Sequence, residues 1–193
     1  MEWTRLLDSS LPALFTFLAG LVGVRLGLRQ VRLQMRYDFI EKQLNCLYSP
    51  LLGLHHDIKS KSGLRAQLHN AATEAWADIA KRRKNVPGWN SDKEYEPFAR
   101  MIDYDNRELI SELLPQYREM LRVLKDNLWL AEPATRRWYA VLSSFVDVWD
   151  RSQEKSLPGE VLTRIDHSEA TLTGFYENVE QTVDYLRSQL PRT

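Results

Sequence analysis

The sequence predicts an all-α protein, with an N-terminal transmembrane helix continuing into a cytoplasmic antiparallel helical bundle. Three observations carry this. Residues 11–24 read Leu-Pro-Ala-Leu-Phe-Thr-Phe-Leu-Ala-Gly-Leu-Val-Gly-Val, without a charge. Arginines at 25, 29, 32 and 36 follow as a ladder. Beyond them apolar residues recur three and four apart, the helical period, and strand-like alternation is rare.

Residues 1–10 are expected to form a short extracytoplasmic N-terminus, with Trp3 at the membrane interface, where indole is at home. Residues 11–28 are the expected transmembrane helix. They cover about 27 Å at the helical rise, against a bilayer core of about 30 Å. The Leu, Val and Phe residues offset Pro12, the glycines and Arg25, which sits near one end and can snorkel. Ser10 can cap the helix, and Pro12 falls in its tolerant first turn. A cleaved signal peptide would carry its positive charge before the apolar run, whereas Glu2, Arg5 and Asp8 leave little there. An amphipathic surface helix would not be apolar all round. A buried helix is the remaining rival for so short a run.

Arg25, Arg29, Arg32, Arg36 and Lys42 lie within the range where positive charge fixes orientation. The expected topology is single-pass in the plasma (inner) membrane, N-terminus out, with the C-terminal domain cytoplasmic. Trp3, Arg25, Arg29 and Arg32 are then lipid contacts. Ala19, Gly23 and Gly27 recur every four residues, a small-residue face that would let two spans pair as a homodimer.

Residues 29–49 are expected to prolong the span as a juxtamembrane helix, which Pro50 bends or ends. Residues 50–193 are the expected cytoplasmic bundle. Its first helix covers about 51–84, weakened at Ser62-Gly63 and stopped by Asn85-Val-Pro-Gly88. Trp89–Tyr95 reads as loop. A helix over about 96–131 carries Ile110, Leu113, Leu114, Tyr117, Met120, Leu121, Leu124 and Leu128 on one face. Pro115 should kink it. Glu132-Pro133 opens a helix to about 151, and Ser156-Leu-Pro158 a short one to about 166. The last helix, about 168–190, spaces Leu172, Tyr176, Val179, Val183, Leu186 and Leu190 as a coiled-coil seam. The seam is too short for a freestanding zipper, so it should pack within its own domain.

The chain of 193 residues carries 26 basic and 26 acidic side chains, a balance that argues against a nucleic-acid binder. Its single cysteine, Cys46, suits a reducing compartment and reads as a small buried packing residue. Trp76, Trp129, Trp138 and Trp149 are expected core anchors.

Catalytic signatures are missing. His55 and His69 could share a helix face, yet about 21 Å apart they cannot share a metal. The adjacent His56 points away from His55, and the zinc-protease and di-iron spacings are absent. Asp105, Glu108 and Glu112 fall on neighbouring turns. Such a stripe could serve acid–base chemistry or a divalent cation, but reads as a solvated face balanced by Arg107 and Arg118. Asp166-His167-Ser168-Glu169 holds triad-like residue types in sequence, where Asp166 or Ser168 is better read as a helix cap. Ser152-Gln-Glu-Lys155 lacks the companion motifs of a Ser-x-x-Lys enzyme. No phosphate loop, dinucleotide fingerprint or nucleophile elbow is present. No catalytic, cofactor-binding or metal residue is assigned, and no cofactor is expected.

Lys81, Arg82, Arg83 and Lys84 end the 51–84 helix and can stabilise its C-terminus. If that helix runs back along 29–49, its length of about 51 Å exceeds the outgoing segment's 31 Å or so. The basic end would then meet anionic headgroups, with Trp89 beside it.

The expected function is a non-catalytic, membrane-anchored scaffold, adaptor or signal relay whose partners are membrane lipid, an unknown cytoplasmic protein or a second copy. The alternatives are a membrane-tethered enzyme, with the acidic stripe and His167 as its candidates, and a membrane-disrupting effector.

Overall fold

The computed structural model describes the backbone of residues 3–165 and 167–191, and within it the side chains of residue 20 and of residues from 23 onward. Every element is helical, and no strand occurs among the described residues. The chain begins with α1 (Trp3–Gln43), a π-helical turn (Leu44–Tyr48) and α2 (Ser49–Arg83), continuous in helical dihedrals. Together they extend over about 120 Å.

This continuity corrects the expected turn at Pro50. Proline has no N–H for the carbonyl four residues back, and its ring crowds that carbonyl. The π-turn relieves both problems by widening the helix just before it: the Ser49 N–H bonds Leu44 O, five residues back. The same device precedes Pro115. A second π-turn (Leu109–Leu113) lets the Leu114 N–H bond Leu109 O, and the helix runs on. Ser62-Gly63 does not interrupt α2. With no return at Pro50, the expected route of Lys81, Arg82, Arg83 and Lys84 to the membrane disappears. They lie exposed about 80 Å of helix beyond residue 28, running away from it.

Gly88, at φ 76°, makes the turn after α2, and α3 (Ser91–Glu108) returns along it. The helix starts inside the expected loop because Asn90 caps it, its side chain accepting the Lys93 N–H at 3.1 Å. Trp76, Trp89, Tyr95 and Phe98 cluster between the two helices and fasten this hairpin. Then follow the second π-turn, α4 (Leu114–Asp126), a 3-10 turn (Leu128–Leu130), the single turn α5 (Pro133–Arg136) and α6 (Trp138–Gln153). The single turn α7 (Gly159–Leu162) and a 3-10 turn (Glu169–Leu172) lead into α8 (Thr173–Ser188).

Residues 40–58, α4, α6 and α8 form an antiparallel up-down-up-down bundle. Gln43 donates to Leu130 O at 2.7 Å, Arg118 forks onto Asp150 at 2.6 and 2.9 Å, and Tyr117 packs on Phe145. These pairs set the directions of the first three, and the Arg36–Gln189 bond with the His55–Tyr176 stack sets α8 antiparallel to the first. The core takes Leu47, Tyr48, Leu51 and Ile58 from the first helical segment of the bundle and Leu113, Tyr117, Met120 and Leu124 from the second π-turn and α4. Leu142 and Phe145 come from α6, and Phe175, Val179, Val183 and Leu186 from α8. A Cβ at Gly174 would stand 2.7 Å from the Trp138 ring, so only glycine lets α8 come this close to α6.

Residues 40–48, expected in the juxtamembrane helix, therefore contribute to the core. Other assignments also change. Ile110 is 44% exposed, because the π-turn rotates it off the apolar face. Cys46 is exposed, since Leu44, Leu47 and Tyr48 take the inward positions of their turn. Trp129 is 56% exposed beyond the end of α4, resting on Phe39 with Lys42 Nζ 4.8 Å from its ring. Trp76, Trp138 and Trp149 are half-buried.

Residues 23–36 of α1 are exposed on every side and touch little of the bundle beyond a bond from Arg36 to Gln189 at 2.8 Å. No helix among the described residues is long and apolar enough to cross a membrane. Most of the side chains of 11–28 lie outside the described residues, as do those of Trp3, Ala19 and Asp166.

Candidate functional site

The core stripe of α2 ends at Ile58. The same face continues upward as Lys59, Ser62, Ala66 and His69, at helical spacings of three and four. Its apolar residues give way to polar ones where the α2–α3 hairpin leaves the bundle, and a cleft opens there. The long connection from α6 to α8 crosses its other side, carrying His167 and Glu169.

Three lobes meet in this cleft, and Ser62 and Glu169 border all of them. The first is a slot of about 200 Å³ walled by Leu113, Leu114, Tyr117, Phe145 and Trp149, with Arg65 and Glu169 as its charged residues. The Trp149 indole meets the His167 ring edge-on, 5.4 Å between centroids. His167 Nδ1 lies 2.8 Å from Ile165 O. The second lobe, about 570 Å³, is bordered by His55, Lys59, Tyr176, Glu177 and Glu180. The third, about 370 Å³, is bordered by Arg65, His69, Asn70 and Asp105.

Two polar atoms here are buried without a hydrogen bond: His55 Nδ1 and the Tyr176 hydroxyl. Their residues are only 5% and 7% exposed. The two rings stack, with centroids 3.9 Å apart and planes 10° from parallel. Glu180 Oε1 lies 3.6 Å from His55 Nδ1, too far for a hydrogen bond. Burial raises the Tyr176 phenol, and the nearby Glu169 carboxylate adds to it. Burial raises Tyr117 in the same way, with its interactions with Tyr176 and the Glu169 carboxylate adding to it. Both tyrosines are therefore neutral donors at physiological pH.

Burial lowers the His55 pKa from its ordinary 6.5. Glu180 opposes the shift, while Lys59 and His56 reinforce it. The folded protein thus binds a proton at His55 less readily than the unfolded chain. Stability is full above about pH 6.5 and falls as pH drops below that value, until the folded imidazole itself protonates. Urea melts at pH 7.5 and 5.5 should show this loss, and His55→Phe should reduce it. An unchanged pH slope in the variant would assign the acid sensitivity to other groups.

The acidic stripe does not converge. Glu112 pairs with Lys61, Glu108 is half-buried and Asp105 is buried beside the third lobe. Arg118 faces Asp150 instead. His167 borders the first lobe, apart from Asp105. No group of three His, Cys, Asp or Glu among the described residues could hold a metal ion. Gly23 and Gly27 have open space where a Cβ would stand, and Arg25, Arg29 and Arg32 are exposed beside them. Sequence reasoning did not single out Arg65, Glu180 or Tyr176 as cleft residues. The available signal was the face of α2, which keeps its period while losing its apolar character.

No family model, curated protein or solved structure matches this chain.

Proposed function

We propose that the protein is a single-pass, membrane-anchored helical bundle that acts as a non-catalytic interaction or relay module on the cytoplasmic face. The observation that carries this reading is the unpartnered arm. Val24, Leu26 and Leu28 are all exposed on a helix that lies off the bundle. Isolated helices of this kind are marginal in water, and most draw stability from burying an apolar face. A bilayer around residues 11–28 supplies that burial, and the arginine ladder at its end meets the headgroups. The open surroundings of Gly23 and Gly27 leave room for a second copy of the same helix, a homodimer through the span. Trp3, Arg25, Arg29 and Arg32 are the lipid contacts of this arrangement.

The protein should sediment with membranes and resist alkaline extraction. An alkaline phosphatase fused after Thr193 should be inactive, and a fluorescent protein fused there should glow, because the arginines hold that side in. Extraction by alkali would remove the anchor from the proposal, and an active phosphatase would reverse its orientation.

A further inference from the structure

We propose that the slot between α4 and α6 binds a free α-amino acid with an apolar side chain. This goes beyond membrane anchoring and does not depend on it.

Size sets the first limit. An apolar cavity of about 150 Å³ accepts one benzene ring. The slot, at about 200 Å³, accepts a ring or branched aliphatic group on a short stem. Its walls suit such a group: Leu113, Leu114, Tyr117 and Phe145 are buried and present carbon, and Trp149 adds an aromatic face.

Charge sets the second limit. Arg65 and Glu169 both border the slot, reach it from different elements and form no ion pair with each other or with any other described residue. A ligand with one charge would leave the other residue uncompensated as the cleft loses water. An α-amino acid carries both charges on neighbouring atoms of one carbon. Its carboxylate suits the forked guanidinium of Arg65, and its ammonium suits the carboxylate of Glu169. The ends of a peptide longer than a few residues hold these charges too far apart.

The third observation concerns the remaining ammonium protons. The Ser62 hydroxyl borders the slot together with Arg65 and Glu169 and can accept one of them.

The full chain in detergent micelles, titrated by calorimetry with L-leucine and L-phenylalanine, tests this. At least one should bind with a Kd below about 1 mM. Glycine, which leaves the slot empty, should bind at least about tenfold more weakly than the better ligand. So should phenethylamine, which lacks the carboxylate, and 3-phenylpropionate, which lacks the ammonium. Arg65→Gln and Glu169→Gln should each lose at least about tenfold in affinity while keeping the ligand-free melting temperature. The wild-type ligand series stands by itself if either variant fails to fold. Failure of both amino acids to bind overturns the proposal. Phenethylamine binding as tightly as phenylalanine would make the slot an organic-cation site, and equal binding of 3-phenylpropionate a carboxylate site. Either result overturns the assignment of an amino acid.

Discussion

Tyr48→Ala is expected to destabilise the bundle by about 3–5 kcal/mol, the range for removing a buried aromatic ring. A domain of this size has a typical total of about 5–15 kcal/mol. Tyr48 is fully buried in the first π-turn, and its hydroxyl sits in a chain of hydrogen bonds. The Glu132 N–H donates to Tyr48 Oη at 2.8 Å. The Thr135 hydroxyl donates to Asn178 Oδ1 at 2.8 Å. Thr135 has thus spent its proton, so the Tyr48 hydroxyl is the donor in the 3.1 Å contact between them. The chain links the long N-terminal helix, the α4–α5 connection and α8. Burial raises the Tyr48 pKa, which keeps the hydroxyl protonated for this role. Tyr48→Phe keeps the ring and strands the Glu132 N–H, an expected cost of about 1–3 kcal/mol. Tyr48→Phe and Thr135→Val should be non-additive, since they cut one chain. Urea melts of the three variants and of the Tyr48→Phe/Thr135→Val double variant decide this. A Tyr48→Phe protein as stable as wild type would mean that water replaces the phenol there.

The bundle was legible because burial follows period. Leu172, Tyr176, Val179, Val183 and Leu186 are spaced as a helix face, and all five are buried. What sequence reasoning misjudged was the effect of proline. Pro50 and Pro115 both read as a break or kink, yet a π-turn absorbs each one. The choice depends on whether neighbouring helices hold the widened turn in place, and one-dimensional spacing does not contain that. The error propagated: a turn at Pro50 would bring Lys81–Lys84 back toward residues 11–28, and continuity carries them away from that segment. Cys46 and Ile110 failed for a related reason, because a π-turn shifts the face on which each residue lies.

The cleft was less legible than the core. Arg65, Glu169 and Tyr176 lie on α2, the α6–α8 connection and α8, and only the fold brings them to one junction. None belongs to a motif of fixed spacing. Tyr176 reads as an ordinary seam residue, and its ring does pack in the core while also bordering the second lobe. His55 has His56 beside it in the sequence and His69 four turns on, yet it alone of the three is buried, because it continues the stripe of Leu47, Tyr48 and Leu51.

Removal of residues 1–36 should release a folded, soluble, mainly helical domain from the membrane. The first core residue of the long helix is Ile40, followed by Gln43, Leu44, Leu47 and Tyr48. A chain starting at Tyr37 therefore keeps every described buried contact. It loses the Arg36–Gln189 bond, which is exposed and contributes little. It also loses an arm whose apolar side chains are unpartnered, so the cut removes surface that favours aggregation rather than packing. The new helix end leaves its first N–H groups to water, as any helix does. Circular dichroism of residues 37–193 should give a strongly helical spectrum and one cooperative melt. Within that domain Leu186→Ala should cost about 2–5 kcal/mol, because Leu186 is only 2% exposed in the core. A truncated chain that loses helix without cooperativity would mean that the arm, by pairing or by lipid contact, stabilises the bundle it leaves. A truncated chain still bound to membranes would place a second lipid-binding surface on the bundle itself.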